Sequence, residues 1–141
     1  MELDGRSNKR LDEVHPDLAR VIRRAAAMCG AFGGTAETGI TFVVTEGGRA
    51  PERQLELVRA GASKTTKSRH VAACNGCGLP CACDLAVRVN GEIRWDWPLY
   101  ADLAKLVKAA AMVEQVPIEW GGDWTRFKDG PHFQLPWKEY P

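Results

Sequence analysis

Leu18, Val21, Ile22 and Ala25 recur at three- and four-residue spacing behind His15-Pro16-Asp17, a proline and an acid placed as at a helix start. The pattern predicts a helix over 16–29, with Gly30 as its stop. Ile40-Thr41-Phe42-Val43-Val44-Thr45 is a β-branched block and predicts a buried strand. Gly47-Gly48 turns the chain, and Pro51 opens a second helix carrying Gln54, Leu55, Leu57 and Val58. From 61 to 83 the pattern breaks into Gly, Ser and Cys and predicts loop. Residues 84–89 alternate ahead of Asn90-Gly91, a strong hairpin signal, with 92–95 returning. Leu99, Leu103, Leu106, Val107 and Ala110 share one face of a long helix over 98–116. Residues 118–120 and 132–135 read as short strands around a Gly- and Trp-rich loop. Together these elements predict an α+β fold, a small antiparallel sheet flanked by helices.

A length of 141 residues suits one domain, 1–141, with a single sound core and no linker to a second module. The net charge of +1 makes no electrostatic case for nucleic acid or for an anionic membrane. No apolar run approaches the roughly 18–20 residues that cross a bilayer, so membrane insertion is not expected. Met1-Glu2-Leu3-Asp4-Gly5-Arg6 lacks the basic-then-apolar profile of an export signal, which predicts synthesis as a cytosolic protein.

Candidate chemistry rests on few side chains. Of three histidines, His15 precedes a helix-opening proline and is expected to be a surface or capping residue. His70 lies in a polar loop and His132 opens a strand; with a carboxylate such as Asp84 they are the ligand types of a catalytic zinc that keeps one position for water. Spacing alone does not pair residues 62 apart.

Three segments carry a resemblance: Gly61-Ala62-Ser63-Lys64-Thr65-Thr66-Lys67-Ser68-Arg69-His70, Asp84-Leu85-Ala86-Val87, and Glu119-Trp120-Gly121-Gly122-Asp123-Trp124 through Lys128-Asp129-Gly130-Pro131-His132-Phe133-Gln134-Leu135. With Arg10-Leu11, His15-Pro16-Asp17-Leu18, Glu46-Gly47-Gly48-Arg49 and Glu52-Arg53-Gln54, they resemble phage endolysins of the L-alanyl-D-glutamate peptidase type, kin of the VanY- and VanX-like D-alanyl-D-alanine peptidases. The resemblance implies the Hedgehog/D-Ala-D-Ala-peptidase-like fold and one catalytic Zn²⁺ on His70, Asp84 and His132. It also implies Asp129 as general base, and substrate contacts from Arg69 and Gln54; Ser68, matching the family's serine two residues before the first histidine, either makes a loop hydrogen bond or contacts the substrate. Arg49 matches the family's arginine after the glycines, where it either polarises the scissile carbonyl or pairs with a carboxylate. The implied substrate is the peptidoglycan stem peptide, cut between L-Ala and D-Glu by a monomer that a holin releases from the host cytoplasm to the wall. A D-alanyl-D-alanine carboxypeptidase shares the metal chemistry, and a non-catalytic metal module built on the cysteines is the reading outside this class.

Other residues keep two readings each. Asp123 either orients a ligand histidine or serves a turn. Trp120, Trp124 and Trp137 are core and cleft wall, or sugar-stacking platforms. Lys64, Lys67 and Arg69 form a basic loop that is solvated or meets the acidic stem. Cys74, Cys77, Cys81 and Cys83 fill a connection between His70 and Asp84 that is longer than the family's compact Ser-x-His-x-x-Gly-x-Ala-x-Asp motif. They suit reduced thiols, with Cys81 and Cys83 on the strand face opposite Asp84, or disulfides, or a second, structural Zn²⁺. Cys29 is expected to be a buried small hydrophobe.

Overall fold

A computed structural model describes residues 1–29 and 40–141. The helices are α1 (Gly5–Asp12), α2 (Pro16–Met28), α3 (Pro51–Arg59) and α4 (Trp97–Glu114). The strands are β1 (Ile40–Glu46), β2 (Ala82–Val89), β3 (Glu92–Arg94), β4 (Glu119–Trp120) and β5 (His132–Gln134). They form one antiparallel sheet in the order β1-β2-β5-β4, with β3 beside β2 as the hairpin return. Asn90 and Gly91 both adopt positive φ, the geometry a two-residue hairpin of this twist requires. The expected α+β architecture is the one observed. Gly30, the expected stop of α2, lies outside the described residues.

Strand alternation divides the sheet into a packed face and a chemical face. Cys83, Leu85 and Val87 of β2, Phe42 and Val44 of β1 and Phe133 of β5 are buried against α2 and α4. Those helices present Leu18, Val21, Ile22 and Ala25, and Leu103, Leu106, Val107 and Ala110. Asp84, His132 and Gln134 point the other way. β1 would aim Glu46 into the core, but a bulge after Val44 inserts one residue, so Val44 still faces Leu85 while Glu46 faces Asp84.

α1 was not evident from apolar spacing because it works through polar groups. Asp4 caps it by accepting from the Ser7 N–H at 2.8 Å. Buried Ser7 accepts from the Val44 N–H at 2.9 Å, and Arg10 donates to the Val44 carbonyl at 2.8 Å. The helix therefore covers the free backbone edge of β1. α3 also departs from expectation: Leu55 is exposed, and the residue it buries is polar Gln54. His15 caps α2 as expected, its Nδ1 accepting from the Asp17 N–H at 3.0 Å.

Candidate metal centre

Register across the sheet assembles the site. Glu46 pairs with Asp84 across β1 and β2, and Asp84 pairs with His132 across β2 and β5, giving a transverse row on the chemical face. His70 joins this row from the 61–81 connection. Its Nε2 lies 3.3 Å from Asp84 Oδ1, and His132 Nδ1 lies 3.3 Å from the same oxygen. The three ligand atoms all fall within 4.8 Å of one another. Tetrahedral zinc with bonds of about 2.0–2.1 Å separates neighbouring ligand atoms by roughly 3.3–3.4 Å, so both measured edges fit.

Neighbouring bonds fix which nitrogens carry lone pairs. His70 Nδ1 donates to the Gly47 carbonyl at 2.8 Å, which leaves Nε2 without a proton. That Nε2 is buried and has no hydrogen-bond partner, so its lone pair is one that a cation would satisfy. At His132 the logic runs through two more residues. The Glu119 carboxylate only accepts, and it takes a bond from Gln134 Nε2 at 2.9 Å. The Gln134 oxygen must then face His132 Nε2, 2.8 Å away, and that nitrogen must donate. His132 Nδ1 is left as the ligand. Trp124 Nε1 donates to the same Glu119 oxygen at 3.1 Å and fixes the carboxylate. Such partners orient a metal-bound imidazole and raise its basicity.

The electrostatics agree. Burial alone would raise the Asp84 carboxyl, but His132 and His70, each 3.3 Å from its Oδ1, hold it far below the usual carboxylate range. Burial alone would lower His132, yet its bond to Asp84, that residue's charge and Gln134 raise it. Asp129 lines the same cleft, and there burial first and the Asp84 charge second raise its carboxyl. His132, His70 and Arg49 pull it back only in part.

A family model described as phage L-alanyl-D-glutamate peptidase matches residues 1–135. The chain belongs to this peptidase family. It is 32% identical over 130 residues to the peptidoglycan L-alanyl-D-glutamate endopeptidase CwlK of Bacillus subtilis (strain 168), covering 86% of this chain and 75% of that protein. The L-alanyl-D-glutamate peptidase of Listeria phage A118 is 34% identical over 103 residues, covering 72% of this chain and 33% of that one. Among solved structures, the Serratia marcescens L-Ala D-Glu endopeptidase ChiX superposes with a TM-score of 0.79 at 39% identity, covering 99% of this chain and 92% of that chain.

In this family member a cleft of about 780 Å³ opens over the triad, between the 62–69 loop and the 124–129 loop. The second loop is pinned at its base, where the Asp129 and Trp124 N–H groups both donate to the Gly121 carbonyl. A Cβ on Gly121 would collide with the Asp129 backbone carbonyl oxygen, and one on Gly122 with the Trp120 ring, so only glycine fits at either position. Arg49 is nine-tenths buried at the cleft wall, clamped onto Glu46 by two bonds of 2.7 and 2.6 Å, with Nη2 3.8 Å from Asp84. Ser68 lines the cleft, and its hydroxyl accepts from the His70 N–H at 3.2 Å.

Other expected residues are engaged with partners of their own. Gln54 was expected at the substrate, but it is buried, with its oxygen on Arg49 and its amide on Ser63 and Thr65. Arg69 is expected there too; it lies along the cleft wall but is only 2% exposed. It donates to the carbonyls of Leu135 and Tyr140 and to Asn75 Oδ1, with Trp137 stacked on it. Asp123 pairs with Lys108 at 2.6 Å and touches no ligand histidine. Trp120 is core, while Trp124 and Trp137 are cleft wall.

Among the described residues the cysteines form no second metal-type cluster. The metal-type cluster found among the described residues is the His-Asp-His triad, and the five cysteines are free thiols. Cys83 is buried on the core face, opposite Asp84, and cannot converge with exposed Cys77. Cys77 and Cys81 approach each other, at 3.8 Å. Burial first, then the Cys77 contact, pushes the Cys81 thiol up to about 12. Cys29 is partly buried, its thiol directed to the Ile40 carbonyl.

Proposed function

We propose that the protein is a zinc-dependent peptidoglycan endopeptidase that hydrolyses the amide between L-Ala and D-Glu of the stem peptide. The observation that carries this is the convergence of three lone-pair donors, His70 Nε2, Asp84 Oδ1 and His132 Nδ1, at the floor of a cleft shared with Asp129. Zinc held there would supply Lewis acidity and a water that ionises near neutral pH. Asp129, its carboxyl raised by burial, accepts the proton of the attacking water and returns it to the departing amide nitrogen of D-Glu. Arg49 donates one hydrogen bond from each of its three nitrogens, which leaves two of its five N–H groups for the oxyanion that develops on the L-Ala carbonyl. The Glu46 clamp holds that guanidinium in place.

The relatives' activities support this bond and this substrate. In a phage setting the protein acts on the wall after a holin has opened the host membrane. No helix among the described residues is long and apolar enough to cross a membrane.

Mass spectrometry of peptidoglycan digested with and without a chelator tests the reading. Chelator-sensitive fragments that begin at D-Glu are expected. Release of free D-Ala would instead make the protein a carboxypeptidase. Asp129→Asn is expected to keep its zinc while turnover falls about 10²–10⁴-fold.

A further inference from the structure

The floor of the cleft is anionic, and its rim is cationic. Asp84, Asp129, Glu46 and Glu119 lie inside, while Lys64 and Lys67 line one lip and Arg126 and Lys128 the other. Among the described residues none of these four cations has an ion-pair partner. The two remaining cations of the cleft are spent internally, Arg49 on Glu46 and Arg69 on backbone carbonyls. The rim is also ordered by aromatic faces. Lys64 Nζ lies 5.3 Å from the Phe127 ring centre, reaching across the mouth to the opposite loop, and Lys67 Nζ lies 4.8 Å from that of Trp137.

A cationic lip over an acidic floor suits a ligand whose own negative charge sits close to the reacting bond. Given the L-Ala–D-Glu reading, on which this inference rests, the stem peptide is such a ligand. Its D-Glu residue continues the chain through the side-chain carboxyl, so the α-carboxylate is free. That carboxylate sits on the same carbon as the scissile nitrogen. With zinc on Asp84 and Arg49 clamped on Glu46, Asp129 and Glu119 remain uncompensated on the floor and would repel it unless nearby cations offset them.

We propose that Lys64, Lys67, Arg126 and Lys128 form a carboxylate-reading rim, which makes the enzyme selective for stems whose D-Glu α-carboxylate is free over stems in which it is amidated. The rim acts on substrate binding, and screening by salt weakens it because the four groups are exposed.

The test compares two synthetic stem peptides that differ only at that group, one with D-Glu and one with D-isoglutamine. Wild-type kcat/KM should favour the free carboxylate by about tenfold, mostly in KM, with the ratio shrinking as salt rises. In a variant combining Lys64→Gln, Lys67→Gln, Arg126→Gln and Lys128→Gln, the ratio should fall toward one, and the corresponding Lys→Arg changes should preserve it. The single variants Lys64→Gln and Lys128→Gln give the same readout if the combined variant folds poorly. A wild-type ratio near one, or a ratio that survives neutralisation of the rim, overturns the proposal and leaves the endopeptidase reading standing. A wild type that cuts neither peptide at the L-Ala bond overturns the endopeptidase reading itself, and the rim proposal with it.

Discussion

Replacing Gln134 by leucine tests whether the metal site depends on a partner that never touches the metal. Gln134 is 5% exposed and bridges two groups, accepting from His132 Nε2 at 2.8 Å and donating to Glu119 at 2.9 Å. Leucine fills the space but leaves the buried His132 N–H without an acceptor, which costs about 1–3 kcal/mol. It also frees the imidazole to exchange tautomers, so the nitrogen facing Asp84 carries a proton part of the time. Zinc affinity should fall about 10–100-fold, measured at neutral pH by competition with a chromophoric chelator. Glu119→Gln separates the two effects. An amide at 119 can donate or accept, so it no longer dictates which way Gln134 faces, yet it preserves the packing. Its loss of affinity should be smaller than that of Gln134→Leu. A Gln134→Leu protein that binds zinc within about twofold of wild type would refute the tautomer argument.

Arg69→Met should cost about 3 kcal/mol of stability, since buried carbonyls lose a charged donor, while kcat/KM below the melting transition stays close to wild type. A large fall in kcat/KM with an unchanged melting temperature would return Arg69 to the substrate. Zinc binding should strengthen with pH. His132 is raised in the metal-free protein, so below its folded pKa zinc must displace a proton, and affinity drops about tenfold per unit. The stability sign follows: the proton-bound His132–Asp84 pair stabilises the metal-free fold below the ordinary imidazole value of 6.5, and this is lost as pH rises through the raised folded value. The zinc-induced rise in melting temperature should therefore grow between about pH 5 and pH 8, and a flat profile in calorimetry would contradict it. Thiol labelling of the native protein should modify exposed Cys77 quickly and spare Cys81 and Cys83, whose thiols burial pushes up. Equal rates at all three would contradict the packing.

The larger elements were legible because they follow apolar period: α2, α4, β1 and the Asn90-Gly91 hairpin. α1 and α3 were not, or only in outline, because apart from Leu11 what they bury is polar: Ser7 and Gln54 serve backbone and arginine partners that lie far away or in a loop. The ligand set was readable through resemblance, whereas its supporting groups were not. Gly47 contributes a carbonyl, which no side-chain pattern reveals. Gln134 did leave a trace, lying two residues after His132 on one strand face, and Glu119 faces it only once β4 and β5 are in register. Arg69 and Gln54 are both tied to structural partners, for a shared reason. Both lie close in sequence to cleft residues, yet each turns inward, where nearby unpaired carbonyls and Arg49 offer better partners than solvent.

The alternation of β2 has a consequence for how the enzyme comes into being. Cys83, Leu85 and Val87 enter the core on the same strand that presents Asp84 to the cleft. A slip of one residue would drive the carboxylate into the apolar interior and expose a thiol and two aliphatic side chains in its place. Such a chain would lose its core and its chemistry together, so no well-packed but miswired form competes with the native one. Every molecule that passes the test of folding has already aligned its ligands, and maturation reduces to the capture of an ion.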